Sequence, residues 1–428
     1  MRRAVVIVLL LASCGSAKAS SPGGSTPATS ATQPPPVPTS SPATTEVQPP
    51  ASTEQSIVDA EAAFPPRLSL TTKDGHVVTF APHAAPVVTP AVSSPTGKVA
   101  VSAAAANGKT TVEWHDLSND AVTASVEIDG ELHPTAVAQD GQLVALVNSA
   151  PTSTTVVLAT PSGGEVRRWT IDSVVVPEAF ADAATVDGLP IGVFVIEYLA
   201  THTYRVRVID TTTGALGLPL NLRDKSQTVD EVMTAVSRTA VFDPGRQLLF
   251  TLYQDASEGG ENIGSFIHTL GLFDGVWCLD VPEALGLADH PGALAVSPDG
   301  SRLYAASSIG GVAAYAVDDI TNGDVTMPTA RTTTSLGASA ERVAIGASDD
   351  EVVVALGGRL FRLDPVTLTV RDSFTWDMDV EALTVLPDHS VVIVGTGRMT
   401  LVSSGDQILA ERVLPGLTSE VTRVAVVG

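Results

Sequence analysis

Along most of this chain, apolar residues come in short runs broken by polar turns. The stretch Ala293-Leu-Ala-Val-Ser-Pro-Asp-Gly-Ser-Arg-Leu-Tyr-Ala-Ala-Ser307, followed by Gly311-Val-Ala-Ala-Tyr-Ala-Val-Asp318, shows the rhythm. It predicts a small-residue strand, a turn at Pro298-Asp299-Gly300, a second strand, a Gly-containing turn and a third strand. Asp-Gly between apolar runs is a strong hairpin signal, because Gly accepts the positive φ that tight hairpin turns require. No apolar periodicity of helical spacing is sustained over a convincing length.

The pattern recurs, as a search for internal repeats requires. Thr135–Leu146 keeps Asp140-Gly141, Thr239–Phe250 keeps a turn at Pro244-Gly245, and Val343–Ala355 and Leu383–Val394 are two further copies. Weaker copies start near Ala91 and Ala179, and Thr422-Arg-Val-Ala-Val-Val427 reads as an eighth first strand. Each unit closes with a second hairpin, as in Val208–Gly214, Leu363–Val370 and Val402–Ile408. The earliest such hairpin, Leu68–Phe80, precedes any first strand. That offset predicts that the N-terminal hairpin and the C-terminal strand complete one sheet together, which leaves a ring of sheets without an open seam. The expected fold class is therefore all-β: a β-propeller with eight repeat units, or seven if one weak copy is spurious. Small residues such as Ala136, Ala138, Ala293 and Ala295 fit first strands crowded around the axis.

Ala295-Val-Ser-Pro-Asp-Gly-Ser-Arg-Leu-Tyr304 and Tyr204-Arg-Val-Arg-Val-Ile-Asp-Thr-Thr-Thr-Gly214 resemble the YVTN-type propeller repeats of bacterial surface-layer and related exported proteins. The resemblance implies fold and an extracytoplasmic setting, not an activity. Intracellular WD40-like repeats are less similar, since Trp376-Asp377 stands in the wrong place. The tryptophans Trp114, Trp169, Trp277 and Trp376 are too few for the regular pattern of quinone-binding propellers.

The N-terminus reads differently. Met1-Arg2-Arg3 is cationic, and Ala4–Ala12 is an apolar stretch too short to span a bilayer, which needs about 20 residues. It runs into Leu11-Ala12-Ser13-Cys14, which resembles the bacterial lipobox. That resemblance implies cleavage of residues 1–13 as a signal peptide and attachment of lipid to the Cys14 sulfur, hence export and anchorage at the cell membrane. Between Gly15 and Gln55, 24 of 41 residues are Ser, Thr or Pro, so residues 14–55 are expected to be a disordered tether. Residues 56–428 are left for the propeller.

Composition removes other classes. With 24 Lys plus Arg against 47 Asp plus Glu, the net charge is −23, which excludes a phosphate-neutralising nucleic-acid module. Two cysteines exclude a disulfide scaffold. If Cys14 carries lipid, Cys278 has no disulfide partner, and its apolar surroundings predict a buried, inert thiol. No nucleophile elbow, His-Glu-x-x-His pair or phosphate loop occurs. His133 and His290 each precede a proline just before a first strand and read as solvated loop residues.

One constellation remains. His133, Glu178, Glu341 and Glu381, with Glu420 close by, occupy roughly equivalent positions at the starts of first strands. In a propeller these converge on one mouth of the axial tunnel, where gathered carboxylates would attract a divalent cation such as Ca²⁺ or form a solvated acidic rim. The acidic segments Asp255–Asn262 and Asp318–Asp324 are expected to be hairpin loops. The leading expectation is a non-catalytic binding or scaffold module in the cell envelope, with the membrane and a protein or glycan as partners and no required cofactor. The alternative is a metal-dependent, lactonase-like hydrolase at the propeller mouth. A stable protein partner would mark a third reading, an assembly or sensory component.

Overall fold

The computed structural model describes residues 64–427 apart from 66, 82–86, 182–184, 218–231, 259–260, 273–274, 323–328, 377 and 415–416. The expected signal peptide, Cys14 and the tether lie outside the described residues.

The hairpin chemistry is visible in the unit that begins at Gly292. Gly300 takes φ +67°, and the Asp299 carboxylate accepts the Ser297 hydroxyl at 2.6 Å and the Ser301 N–H at 2.9 Å. These bonds, that of Ser297 foremost, hold Asp299 well below the ordinary carboxylate range, at about 2. The Ser297 hydroxyl oxygen also accepts the Arg302 N–H. The same device, a Ser or Thr oxygen receiving an N–H across a turn, recurs at Thr72, Ser94, Ser348 and Ser403. At Gly141, with φ +75°, a side chain is excluded twice: by the backbone, and by Val99 of the neighbouring sheet, which a Cβ would meet at 2.6 Å.

Among the described residues, hairpins of this kind assemble into eight antiparallel blades, 1 to 8. Blade 2 runs from the end of Val87–Ser93 through Val99–Ala106, Lys109–Asp116 and Ala121–Asp129. Blade 3 comprises His133–Val137, Val144–Ser149, Thr154–Thr160 and Gly164–Ile171. Blade 4 comprises Val174–Phe180, Gly192–Ala200, Thr203–Asp210 and the short Leu216–Gly217. Blade 5 comprises Ser237–Asp243, Leu248–Glu258, Glu261–Gly271 and Gly275–Asp280. Blade 6 (Gly292–Val296, Arg302–Ser307, Gly311–Ala316, Thr332–Ser335), blade 7 (Val343–Ala347, Val352–Leu356, Arg359–Leu363, Val370–Thr375) and blade 8 (Ala382–Val385, Val391–Gly395, Arg398–Val402, Ile408–Val413) are regular four-stranded sheets.

Blade 1 is built from both ends of the chain. Val421–Val426 pairs antiparallel with Leu68–Thr72, setting Leu70 opposite Val424 and Leu68 opposite Val426. Leu68–Thr72 then pairs with His76–Phe80, and His76–Phe80 with residues 87–90. The expected closure and the count of eight are both present. The strand Val87–Ser93 serves two sheets, ending blade 1 with its first half and opening blade 2 with its last three residues.

Two expectations need correction. Blade 4 begins at Val174, not near Ala179, because the Asp187-Gly188 turn of its first connection sits at the tip of a small inserted hairpin, Thr185–Val186 with Leu189–Pro190, away from its two long strands. The segment opening at Asp318 is not a loop: Val317–Asn322 is a short α-helix whose Asp318 and Asp319 bind Arg246 and Arg331. In the other acidic segment, Asp255–Asn262, the backbone prolongs the second hairpin of blade 5, with Glu258 opposite Glu261.

The core lies between blades rather than at one centre. Leu68, Leu70, Phe80, Val392, Met399 and Val424 fill the junction of blades 8 and 1. Comparable apolar clusters fill the junctions of blades 2/3, 3/4, 5/6, 6/7 and 7/8. Small residues sit where blades crowd the axis: Ala136, Ala138 and Ala295 are buried, and a Cβ on Gly346 would meet Leu383 of the next first strand at 2.5 Å. Buried polar ties supplement the apolar contacts. Arg362, 4% exposed, donates to Glu351 Oε1 and to Asp406 Oδ1, both at 2.8 Å, and to the carbonyls of His389 and Ser403. One guanidinium thus joins blade 7 to two turns of blade 8.

Leu70→Ala is expected to cost about 2–5 kcal/mol by urea unfolding, because Leu70 is fully buried at the closing sheet. Arg362→Leu is expected to cost a similar ~3–5 kcal/mol, since it strands the buried Glu351 carboxylate. Arg362→Lys should recover only part of that loss, because an ammonium cannot reach four acceptors with a planar fork.

Candidate functional site

The side chains expected at the propeller mouth are placed as follows. His133 is exposed at the first residue of blade 3. Glu341 is exposed two residues before the first strand of blade 7. Glu381 directly precedes the first strand of blade 8, with a side chain only 5% exposed. It accepts Arg342 Nη1 at 3.0 Å, Thr396 Oγ1 at 3.1 Å and the Val421 N–H at 3.0 Å. Glu420 directly precedes the closing strand and lies 3.4 Å from Lys73 Nζ. Glu178 departs from the expected register. It is the fifth residue of Val174–Phe180, at a β-bulge, and its Oε1 accepts Arg238 Nη2 of blade 5 at 2.5 Å. Three of the four glutamates are thus engaged by cations, and among the described residues no group of three His, Cys, Asp or Glu side chains is placed to hold a metal ion.

Glu178 points instead to the junction of blades 4 and 5. First strands of adjacent blades pack closely at most junctions; those of blades 4 and 5, like those of blades 1 and 2, pack less closely. The two sheets are joined at their margin by Met233–Thr234, which pairs with the third strand of blade 4 and the second of blade 5. The apolar filling of this junction is split in two. Ile196, Tyr204, Met233, Tyr253 and Phe266 form one cluster, and Ala179, Phe194, Val208, Leu270 and Leu272 form the other.

The break follows from strand register. On the face of blade 5 turned to blade 4, Leu249, Thr251 and Tyr253 alternate along one strand, and Leu270, His268 and Phe266 along the next. Thr251 stands directly opposite His268, so one polar pair interrupts the apolar residues of these two strands. A cleft opens at this level, lined by Phe194, Ile196, Val206, Thr251, Tyr253 and His268, with the Glu178–Arg238 pair also on its wall. Its volume, including the open mouth, is about 290 Å³. His268 is 6% exposed, and burial pushes its pKa down to about 4, so the ring is neutral at pH 7. Tyr253 stacks on Phe266 at 4.9 Å and lies 5.6 Å from Tyr204 and 6.2 Å from His268. Burial raises the pKa values of both Tyr204 and Tyr253, so both hydroxyls keep their protons. Cys278, opposite His268 on the following strand, is half-buried at the edge of this cluster rather than enclosed as expected.

The His268 ring makes stability depend on pH. An unfolded chain protonates this histidine below its ordinary value of 6.5, whereas the folded one resists down to about 4. Its contribution is therefore complete above pH 6.5 and is lost as pH falls toward 4, a swing of up to about 3 kcal/mol. Urea unfolding at pH 7 and at pH 4.5 is expected to show a smaller loss of stability in His268→Gln than in the unmodified chain.

No protein-family model matches the sequence, and no curated protein is significantly similar to it. Solved structures are similar to the fold. The dihydro-heme d1 dehydrogenase NirN, in complex with DHE, superposes with a TM-score of 0.50 at 14% identity, over 85% of this chain and 75% of that one. Sqt1 of Saccharomyces cerevisiae gives a TM-score of 0.47 at 15% identity, over 78% of this chain and 86% of that one. At such identities the likeness is one of architecture, and the architecture is a β-propeller.

Proposed function

We propose that this protein is an exported, lipid-anchored β-propeller that acts as a non-catalytic binding or scaffold module in the cell envelope. The observation that carries the reading is Leu11-Ala12-Ser13-Cys14 at the end of a short apolar stretch, followed at once by a Ser/Thr/Pro-rich segment. Lipid on Cys14 supplies the membrane contact, and more than one acyl chain makes it durable. A random coil of some 40 residues has a root-mean-square reach of about 35 Å, enough to hold the ring clear of the membrane surface. The propeller supplies rigidity: hairpins locked blade to blade present broad loop faces that a protein or glycan can meet without reorganising them. Support for recognition rather than catalysis comes from the first-strand glutamates, whose charges are mostly taken up by arginine and lysine.

Palmitate labelling of the producing bacterium tests the anchorage. The unmodified protein is expected to carry label and to sediment with membranes, and Cys14→Ser to lose both properties. A Cys14→Ser protein that still takes up label would remove lipidation at this position. Crosslinking in intact cells is expected to trap one or more envelope components, and a propeller that is never crosslinked would remove the scaffold role.

A further inference from the structure

With 47 acidic residues against 24 basic ones, most described arginines and lysines are claimed by a carboxylate. Arg423 of the closing strand and Lys98 of blade 2 are not: neither makes an ion pair with a described residue. Strand register turns both into the junction of blades 1 and 2. On the closing strand, Val424 packs toward blade 8, so Arg423 and Ala425 on either side of it face blade 2. Their neighbours agree. Arg423 Nη2 donates to the Pro95 carbonyl at 2.7 Å, and a Cβ on Gly97 would meet Ala425 at 3.4 Å and Arg423 Nη2 at 3.9 Å. On blade 2, Ala100 and Leu117 pack with Val77 and Val427 of blade 1. The Lys98 carbonyl accepts the Leu117 N–H at 2.9 Å, continuing the ladder past Val99 and Asp116, so its side chain belongs to the same face as Ala100. Both residues are exposed. The acids nearby are engaged or turned away. Asp120 pairs with Arg67. Asp116 is held by Ser118 and Asn119 on the face that carries Val99. Glu113 shares the face of Ala100 but lies farther along its strand, beside His115. A guanidinium has donors to spare after one carbonyl, and Gly97 keeps the approach to it free of a side chain.

We propose that Arg423 and Lys98 together bind a small multiply charged oxyanion, of which inorganic phosphate is the simplest, beside the first turn of blade 2. The guanidinium fork bridges two of its oxygens and the ammonium adds a point charge. Carboxylates more than about 10 Å away are largely screened in ordinary buffer. A surface of anionic lipid instead repels the whole chain, whose net charge is −23, so the free ion rather than a lipid headgroup is the expected ligand. The site depends on neither the lipid anchor nor a protein partner.

The test titrates the full-length protein in neutral detergent with inorganic phosphate at pH 8 and low ionic strength, followed by ³¹P NMR. Saturable binding in the millimolar range or tighter is expected, weakening as sodium chloride is added. Arg423→Gln should weaken it by about tenfold or more, and Lys98→Gln by about threefold to tenfold. Arg423→Lys keeps the charge and loses the fork, so it should fall between the unmodified protein and Arg423→Gln. Because Arg423→Gln also removes the bond to Pro95, Lys98→Gln, at an exposed residue, decides the matter if the first variant proves unfolded in a thermal melt. Phosphatidylglycerol vesicles should not displace the phosphate. Absence of saturable binding, unchanged binding in Lys98→Gln, or displacement by the vesicles would each overturn the proposal. Each would leave the anchored scaffold standing, since that depends on Cys14 labelling and crosslinking.

Discussion

The pairing of Leu68–Thr72 with Val421–Val426 is the constraint on which the rest depends. A four-stranded sheet of this size exposes two apolar faces and cannot be stable alone. Each blade buries one face on its predecessor and one on its successor, and the arrangement is free of ends only if the last blade meets the first. The mixed sheet provides that meeting through backbone hydrogen bonds instead of side-chain contact alone. Leu68, Leu70 and Val424 consequently belong to the same cluster as Val392 and Met399 of blade 8.

Within the ring, different junctions use different chemistry. Most are filled by aliphatic and aromatic side chains in alternating register, tightened by single polar ties such as the Tyr304 hydroxyl on the Pro365 carbonyl and the Tyr315 hydroxyl on that of Asp280. The junction of blades 7 and 8 adds the buried Arg362 fork. That of blades 4 and 5 is looser: a short bridging strand holds its margin, and the Glu178–Arg238 pair ties its first strands. A ring of rigid wedges tolerates one such opening because the other junctions fix the positions of the two blades that flank it.

Much of this architecture was legible from residues close together in sequence. Asp-Gly and Pro-Gly turns between short apolar runs marked three first hairpins, those of blades 3, 5 and 6, and the early hairpin Leu68–Phe80 with the late strand at Thr422 announced the closure. Blade 4 was harder to read, because its Asp187-Gly188 turn belongs to an inserted hairpin set away from the long strands, and Pro177 with the adjacent bulge disguises its first strand. Glu178 was therefore aligned with residues at strand starts, whereas the bulge sends it to Arg238, 60 residues away. The cleft was not seen at all. Its polar pair, Thr251 and His268, is brought together only by hairpin register. A signal did exist: Thr251 interrupts Leu248-Leu-Phe-Thr-Leu-Tyr253, and His268 interrupts Phe266-Ile-His-Thr-Leu270, each on the same alternating face.

The composite blade also sets an order of events. Thr71 and Thr422, bonded to each other in the finished sheet, are 351 residues apart. A chain that leaves a ribosome or a secretion channel N-terminus first therefore presents the hairpin Leu68–Phe80 long before its partner strand exists. During that interval the edge of Leu68–Thr72 is unpaired and available to other strands. The circle is completed only when everything between has emerged, so the first of the described strands to appear is among the last to be secured.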